Sequence, residues 1–241
     1  MWIEFTRIVA SRADAGCPVD RGVRGCLAAV CVSLRSVSMF KAGNPGVNVN
    51  FAFAGSSELA TQLTQGATAD VFASADTAQI GQCGQGGVAG RSSDKLRHQH
   101  DGHRCRRRQS QEDPSFADLT RPGLNVVVCQ PSVPCGSATR RIEDATGIHL
   151  NPVSEELSVT DVLNKVITGQ ADAGLVYVSD ALSVATKVTC VRFPEAAGVV
   201  NVYAIAVLKR TSQPALARQF VAMVTAAAGR RILDQSGFAK P

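Results

Sequence analysis

Short apolar strand signals alternate with helix signals along most of this 241-residue chain, and this alternation constrains the fold more than any other feature. The stretch Leu124–Cys129 is almost continuously apolar, as is typical of a strand covered on both faces, and the next helix is predicted to end at Gly147. The predicted strands span 46–54, 70–73, 124–129, 173–177, 188–193 and 199–208. The alternation predicts an α/β fold with largely parallel sheets.

Two segments, 1–38 and 81–113, interrupt this pattern. They carry the whole formal net charge of +5, because basic and acidic residues balance in the rest of the chain. They also contain Cys17, Cys26, Cys31, Cys83 and Cys105. We expect the first strand and the signal to be lost from 1–38. We expect disorder over 81–113, because a polar stretch of this length is unusual inside a compact domain.

One hypothesis explains both segments, namely that each is translated in a shifted reading frame. Arg, Gly, Cys, His and Gln replacing Ala, Val and Thr is the change that a frame slip produces in GC-rich DNA. Reading the gene in the other two frames tests the hypothesis. It fails if neither frame restores an alternating apolar pattern over 81–113.

The basic segment also allows two alternative functions. His98, His100, His103 and Cys105 are potential zinc ligands, but their spacing fits no zinc-finger pattern and the adjacent arginines oppose a cation. The basic run 104–108 would attract phosphates, yet no aromatic residues are interleaved to stack on bases. Zinc or nucleic-acid binding is therefore disfavoured. No run of about 20 apolar residues indicates a membrane span.

Small residues and hydroxyls stand where several predicted strands lead into helices. Ser56 is placed at a helix start, where backbone N–H groups and a hydroxyl form an uncharged anion site. Taken alone, this position favours ordinary N-capping. The arrangement recurs at Cys135 and Val162, and Tyr177 ends a strand with a hydroxyl, so the set favours a tetrahedral oxyanion. No catalytic motif is visible, and we expect a binding protein rather than an enzyme.

Cys129 and Cys135 flank a short turn. They could form a disulfide in an oxidising compartment, or they could be two unpaired core residues. The spacing alone leaves both interpretations open.

Several motifs occur in the order and spacing of a known family. They include Lys41–Leu59, Ala69–Asp76, Val133–Gly136, Gly174–Asp180 and Ser236–Phe238. Over 40–80 and 114–241 the chain resembles the periplasmic molybdate-binding proteins of ABC transporters. The resemblance implies a two-lobed periplasmic-binding-protein type II-like fold with mostly parallel sheets and crossover strands. Lobe one would comprise 40–80 plus 194–241 and lobe two 81–193, both incomplete because of the anomalous segments.

The resemblance also implies a ligand set. Molybdate or tungstate would be bound between the lobes by the hydroxyl and N–H of Ser56 and by the N–H groups of Cys135, Val162 and Tyr177, with the Tyr177 hydroxyl as a further donor. No cofactor, no metal beyond the oxyanion and no nucleic acid would be needed. The partner would be the membrane permease of the transporter, and the protein would be a monomer.

Members of this family are periplasmic or lipid-anchored, which requires an N-terminal signal. Val30 precedes Cys31 where a lipoprotein signal needs a small residue, so we expect export of this chain to be impaired. One interpretation is a defective copy that no longer binds. Alternatives are the ligand-sensing domain of a transcription regulator, although 1–38 shows no helix-turn-helix pattern, and binding of another oxyanion such as sulfate.

Overall fold

The computed structural model of the protein describes residues 3–4, 21–28, 30–106, 115–183 and 187–238. The chain begins with β1 (Ile3–Glu4), β2 (Arg21–Ala28), α1 (Val30–Gly43), β3 (Val47–Phe51), α2 (Ser56–Thr64), β4 (Val71–Ser74) and α3 (Thr77–Gln85). It continues with β5 (Ala89–Arg106), a 3-10 helix (Phe116–Thr120), β6 (Val126–Cys129), α4 (Pro134–Thr146), β7 (Ser154–Glu156), α5 (Val159–Thr168) and β8 (Ala173–Tyr177). It ends with α6 (Val178–Ser183), β9 (Thr189–Arg192), a second 3-10 helix (Pro194–Gly198), β10 (Val200–Leu208), α7 (Pro214–Thr225) and α8 (Ala227–Gln235).

The helix limits follow local sequence signals. Gly147 and Gly169 end α4 and α5 in the left-handed conformation, with φ of 69° and 77°, and the end of α4 at Gly147 is as predicted. The region 214–235 forms two helices rather than one, because Ala226 between α7 and α8 is extended (φ −71°, ψ 169°). The predicted alternation of strands and helices is present, and the α/β class is confirmed.

The chain divides into two compact units. The first unit comprises Ile3–Arg97 and Val202–Ser236, and the second comprises His98–Asn201 and Gly237–Ala239. The predicted lobes have the same discontinuous layout, but the unit boundaries lie inside β5 and β10 rather than at 80/81 and 193/194. These two strands are the crossover strands.

The first unit is built on one sheet. β2 lies between β3 and β4 and runs parallel to both, while β10 pairs antiparallel with β4. Helices α2 and α3 close a core in which Leu59, Leu63 and Phe72 are fully buried. Phe40 of α1 packs edge to face on Phe220 of α7, with ring centroids 5.3 Å apart. α2 follows β3 and α3 follows β4 in this unit.

The second unit has its own sheet. β6 runs parallel to β7 and β8, and β5 pairs antiparallel with both β8 and β9. Its core contains Phe116 and Phe193, whose ring centroids are 5.8 Å apart. The prediction of mostly parallel sheets therefore holds for β2–β4 and β6–β8. β5, β9 and β10 instead pair antiparallel with their neighbours.

The expectation that 1–38 has lost the first strand is wrong. β2 spans Arg21–Ala28 and pairs with β3 along five residues, from Arg21 opposite Val47 to Gly25 opposite Phe51. Its sequence contains arginines and glycines instead of alternating apolar residues, so the strand is not predicted from the sequence. Strands on both sides supply the ladder hydrogen bonds, and tertiary pairing overrides weak local propensity.

The expectation of disorder at 81–113 is wrong for residues 81–106. α3 continues to Gln85, and β5 places Arg104 opposite Leu175 of β8 and Val191 of β9. Residues 107–113 lie outside the described residues. Pairing with two strands accounts for a strand that its own polar sequence does not predict, and the lobes are more complete than expected. The frame-slip hypothesis stays a prediction.

Within the described part of the chain, no helix is both long enough and apolar enough to cross a membrane.

Candidate functional site

Ser56 lies at the first position of α2. The preceding Gly55 is extended (φ −62°, ψ 141°) and no side chain caps the helix, so Ser56 is not the N-cap that the alternative interpretation required. The amide of Leu59 is the first to reach an intrahelical acceptor, Gly55 O at 3.0 Å. The amides of Ser56, Ser57 and Glu58 precede it and are the donors that a helix start leaves without a helical carbonyl.

The Ser56 hydroxyl is held in one orientation by the next loop. Ser56 is fully buried, and its Oγ accepts a hydrogen bond from the backbone N–H of Ala75 at 3.1 Å. A hydroxyl has only one proton, and here its oxygen already accepts. The proton is therefore directed away from Ala75 and can be donated to an anion.

Ser57, the next residue, carries a second hydroxyl at the start of α2. Its Oγ is enclosed and has no hydrogen-bond partner among the described residues. A buried hydroxyl without a partner is costly, which is a reason to look for a ligand there. The Ser-Ser pair is the sequence signal that could have identified it.

Cys135 lies in the first turn of α4, and the turn is fixed by a covalent bond. A disulfide joins it to Cys129 at the end of β6, with the two Cα atoms 5.6 Å apart, which settles the open question about these cysteines. Ser137 N donates to Val133 O at 2.9 Å, so the Cys135 amide precedes the intrahelical bonds. Pro134 before it contributes no N–H.

The start of α4 is also pressed against the preceding turn. A Cβ added to Gly136 would lie 1.8 Å from Gln130 O, which is inside van der Waals contact. Only glycine permits this approach. The disulfide and the close approach together hold the Cys135 amide in a fixed position.

Val162 lies one turn too far into α5 to act as predicted. Its amide donates to Ser158 O at 3.4 Å, the first bond of the helix. Its side chain is fully buried, and a Cβ on Gly174 of β8 would lie 2.6 Å from Val162 Cγ1. Val162 is therefore a packing residue. The N-terminal amide of α5 belongs to Val159, which follows the N-cap Ser158.

One of the two donors predicted at Tyr177 is already engaged within the protein. Its backbone N–H donates to Asp180 Oδ2 at 3.1 Å, so this group already has an acceptor. Its hydroxyl accepts from Asn201 Nδ2 at 3.0 Å. As in Ser56, a hydroxyl that accepts from a protein N–H directs its own proton elsewhere.

Asp180 is a buried carboxyl next to this strand end. Burial raises its pKa, and the backbone amides of Tyr177 and Asp180 oppose that rise by donating to the carboxylate. The Tyr177 amide is thus engaged with this carboxylate.

Within the second unit, two of the predicted residues are brought together by Asn201. Its Nδ2 also lies 3.4 Å from Pro134 O, at the start of α4, so the Tyr177 hydroxyl and the Cys135 helix start share one amide. No described hydrogen bond links Val162 to this group. Ser56 belongs to the first unit.

A pocket of about 140 Å³ on the second unit does not coincide with these donors. It is lined by parts of β6, α4 and 149–155, among them Arg140, Glu143 and His149, and by none of the four predicted residues. Among the described residues, no cluster of three His, Cys, Asp or Glu side chains could hold a metal ion.

Comparison with known proteins places this geometry in a family. The profile of the bacterial extracellular solute-binding proteins matches residues 35–239. The curated molybdate-binding protein ModA of Mycobacterium bovis is 76% identical over 238 residues, which cover 96% of this chain and 91% of ModA.

Solved structures share the fold at low identity. The Azotobacter vinelandii periplasmic molybdate-binding protein has a TM-score of 0.72 at 18% identity and covers 92% of this chain and 99% of its own. The sulfate-binding protein SubI of Mycobacterium tuberculosis has a TM-score of 0.74 at 16% identity and covers 86% and 82%. The two-lobed type II periplasmic-binding fold is confirmed, and these two structures by themselves do not distinguish the ligands.

Proposed function

Because the chain belongs to the bacterial extracellular solute-binding protein family, we propose that it captures molybdate for an ABC importer. The observation that carries the proposal is 76% identity to a molybdate-binding protein along almost the whole chain. The family binds solutes for transport and is not one of enzymes, and a bound oxyanion needs no further cofactor. The regulator alternative has no support in these relatives, and sulfate is retained as an outcome of the test.

The proposed ligand donors are groups that carry no formal charge. They are the Ser56 hydroxyl with its own amide, the Tyr177 hydroxyl, and the first-turn amides of Cys135 and Val159. Val159 replaces Val162 because the Val162 amide donates within the helix. Molybdate is a dianion that accepts hydrogen bonds on all four oxygens, and a set made only of donors matches it.

The orientation of the two hydroxyls supports this assignment. Ser56 Oγ accepts from Ala75 N, and Tyr177 Oη accepts from Asn201 Nδ2. Each protein donor therefore occupies an acceptor site of a hydroxyl that could otherwise donate or accept, and directs the hydroxyl proton away from itself. The helix starts at Ser56 and Cys135 add a favourable dipole.

Calorimetric titration of the purified chain tests the function. We expect saturable heat with sodium molybdate and a dissociation constant at least about tenfold larger for sulfate. Tungstate, which has the same charge and shape, should behave like molybdate. Tighter binding of sulfate than of molybdate would overturn the assignment. An absence of heat with all three anions, which is the result expected of a defective copy, would also overturn it for this chain.

The Ser56→Ala variant tests the first donor. We expect molybdate affinity to fall by more than about tenfold, or about 1.4 kcal/mol, because a hydroxyl donor is removed. The buried Ala75 amide also loses its acceptor, which should lower stability by about 1–3 kcal/mol. Binding is measured by calorimetry and stability by thermal unfolding.

Thr64→Ala is the matched control for Ser56→Ala. Its exposed hydroxyl donates to Thr61 O at the other end of the same helix, so binding should not change. If Ser56→Ala binds molybdate as tightly as the unmodified chain, Ser56 has a structural role only.

The partner and the location follow from the family. An extracytoplasmic binding protein delivers its solute to a membrane permease, and we propose that this chain does so as a monomer. Light scattering of the ligand-bound protein tests the monomer.

We propose a lipid-anchored or periplasmic location, and fractionation of cells that express the full chain tests whether the segment around Cys31 supports export.

A further inference from the structure

We propose that Asn201 and Arg141 are positioning residues for oxyanion capture, acting through the hydroxyl of Tyr177. The inference rests on the proposed function and deepens it. It assigns to these residues a directional chain of hydrogen bonds that begins at a cation and ends at a ligand donor. Neither residue is itself proposed to touch the ligand.

The series of hydrogen bonds begins at Arg141 on α4. Its Nη1 donates to Val200 O at 3.1 Å, and its Nη2 donates to Asn201 Oδ1. Two contacts to adjacent residues at the start of β10 hold the guanidinium in a fixed position. The rest of the Arg141 side chain is exposed, so its charge remains hydrated and does not have to be buried.

Arg141 determines which way the Asn201 amide faces. A guanidinium can only donate, so the atom of Asn201 that faces it must be the oxygen. The amide nitrogen then faces Tyr177 Oη at 3.0 Å and Pro134 O at 3.4 Å. The reverse orientation would place the amide oxygen against the Pro134 carbonyl and the NH₂ group against the guanidinium, and both contacts would be repulsive.

The orientation of Asn201 in turn determines the role of the Tyr177 hydroxyl. Both Asn201 N–H groups and its oxygen are engaged, and the side chain is only 3% exposed, so it has no reason to turn over. Tyr177 Oη is the acceptor of one N–H and cannot donate back to it. Its proton is therefore presented away from Asn201, as an anion site requires.

The same amide connects two proposed donors. Because Asn201 also contacts Pro134 O, it joins the hydroxyl at the end of β8 to the first turn of α4, where the Cys135 amide lies. A charged group at one end of such a chain polarises every bond in it and makes the terminal hydroxyl a stronger donor. The site thus gains from a positive charge without a cation that contacts the ligand.

A double-mutant cycle on molybdate binding, measured by calorimetry, tests the inference. We expect Asn201→Leu to weaken binding by about tenfold, which corresponds to about 1.4 kcal/mol. In a Tyr177→Phe background the same change should have less than about a twofold effect, because the hydroxyl on which it acts is gone. An equal loss in both backgrounds would show that Asn201 acts on structure alone and would overturn the inference.

Arg141→Gln provides a second test if Asn201→Leu does not fold. We expect binding to weaken by about threefold or more, because the charge that polarises the chain is removed. Arg140→Gln is the matched control, since it makes the same charge change one residue earlier on α4, at an exposed side chain that is 3.8 Å from Glu143. Equal effects of the two variants would overturn the inference.

These outcomes separate the inference from the function on which it depends. If the unmodified chain does not bind molybdate, the proposed function fails and the inference fails with it. If the unmodified chain binds and the Asn201 and Arg141 variants bind equally well, only the inference fails.

Discussion

The hydroxyl groups of Ser56 and Tyr177 take a defined direction because a backbone or side-chain N–H donates to the oxygen of each. Ser56 and Tyr177 could be selected from the sequence, since small and hydroxylated residues at strand ends and helix starts are visible there. Their partners, Ala75 and Asn201, lie 19 and 24 residues away and come together only in the fold. The sequence therefore predicts which residues could donate, but not which way they donate.

Burial of the Asp180 carboxyl makes the stability of the protein depend on pH. Its folded-state pKa is raised, so protonation favours the folded state, and this contribution is lost as the pH rises through the folded-state value. We expect the free energy of unfolding of Asp180→Asn to fall less than that of the unmodified protein as the pH rises above about 4, the usual pKa of an aspartate. Urea unfolding at several pH values measures this difference.

The control for Asp180→Asn is Asp144→Asn, which changes an exposed carboxyl on α4. We expect its pH dependence to follow that of the unmodified chain. If Asp180→Asn has the same pH dependence as well, the buried carboxyl does not contribute to stability in the way described.

Helix starts are the elements on which the proposed site depends, and their exact positions are difficult to predict. The sequence analysis selected Val162, whose amide is the first to donate within α5. Val159, three residues earlier, is the first helical residue. A pattern of apolar and polar residues identifies a helix but does not define its first residue accurately. The backbone amides that lack an acceptor within the helix depend on which residue is first, so they are difficult to predict.

Replacing Val159 by proline isolates one amide. Proline is favoured at the first helical position, and Ser158 before it is extended (φ −143°, ψ 152°), so the helix should form without that N–H. We expect molybdate affinity to fall by about tenfold. Val159→Ala shortens the side chain and keeps the N–H, so it should bind like the unmodified chain. Equal affinities of the two variants would exclude the Val159 amide as a ligand.

β2 and β5 are the elements that the sequence misses. Both contain arginine and glycine in place of alternating apolar residues, and both are held between neighbouring strands. Local propensity contributes little where two ladders are available. The same composition that suggests a frame slip thus also explains why pattern-based interpretation fails there.

At the scale of the whole molecule, the two-unit layout could be predicted because the family motifs occur in order, whereas the unit boundaries could not. β5 and β10 each belong partly to one unit and partly to the other, and no composition change marks residues 97/98 or 201/202. The boundary between the units lies where β5 and β10 stop contacting residues of one unit and begin to contact residues of the other.

Ligand binding to the folded chain should stabilise the whole molecule. At a molybdate concentration of about one hundred times the dissociation constant, we expect about 2.7 kcal/mol of additional stability. Thermal unfolding with and without molybdate measures this gain, and sulfate at the same concentration should give a smaller one. Equal increases with both anions would show that the protein does not discriminate between them.

The donor set has a consequence for the conditions in which the protein can work. Amides and hydroxyls do not release their protons near neutral pH, so the groups proposed to hold the anion do not gain or lose charge when the surroundings acidify. The pH dependence of binding would then be set by protonation of the oxyanion. A protonated oxyanion carries less charge, and its O–H is a donor facing a site that contains only donors. A binding protein with these donors keeps its affinity for the anion as the pH falls, until the ligand itself becomes protonated.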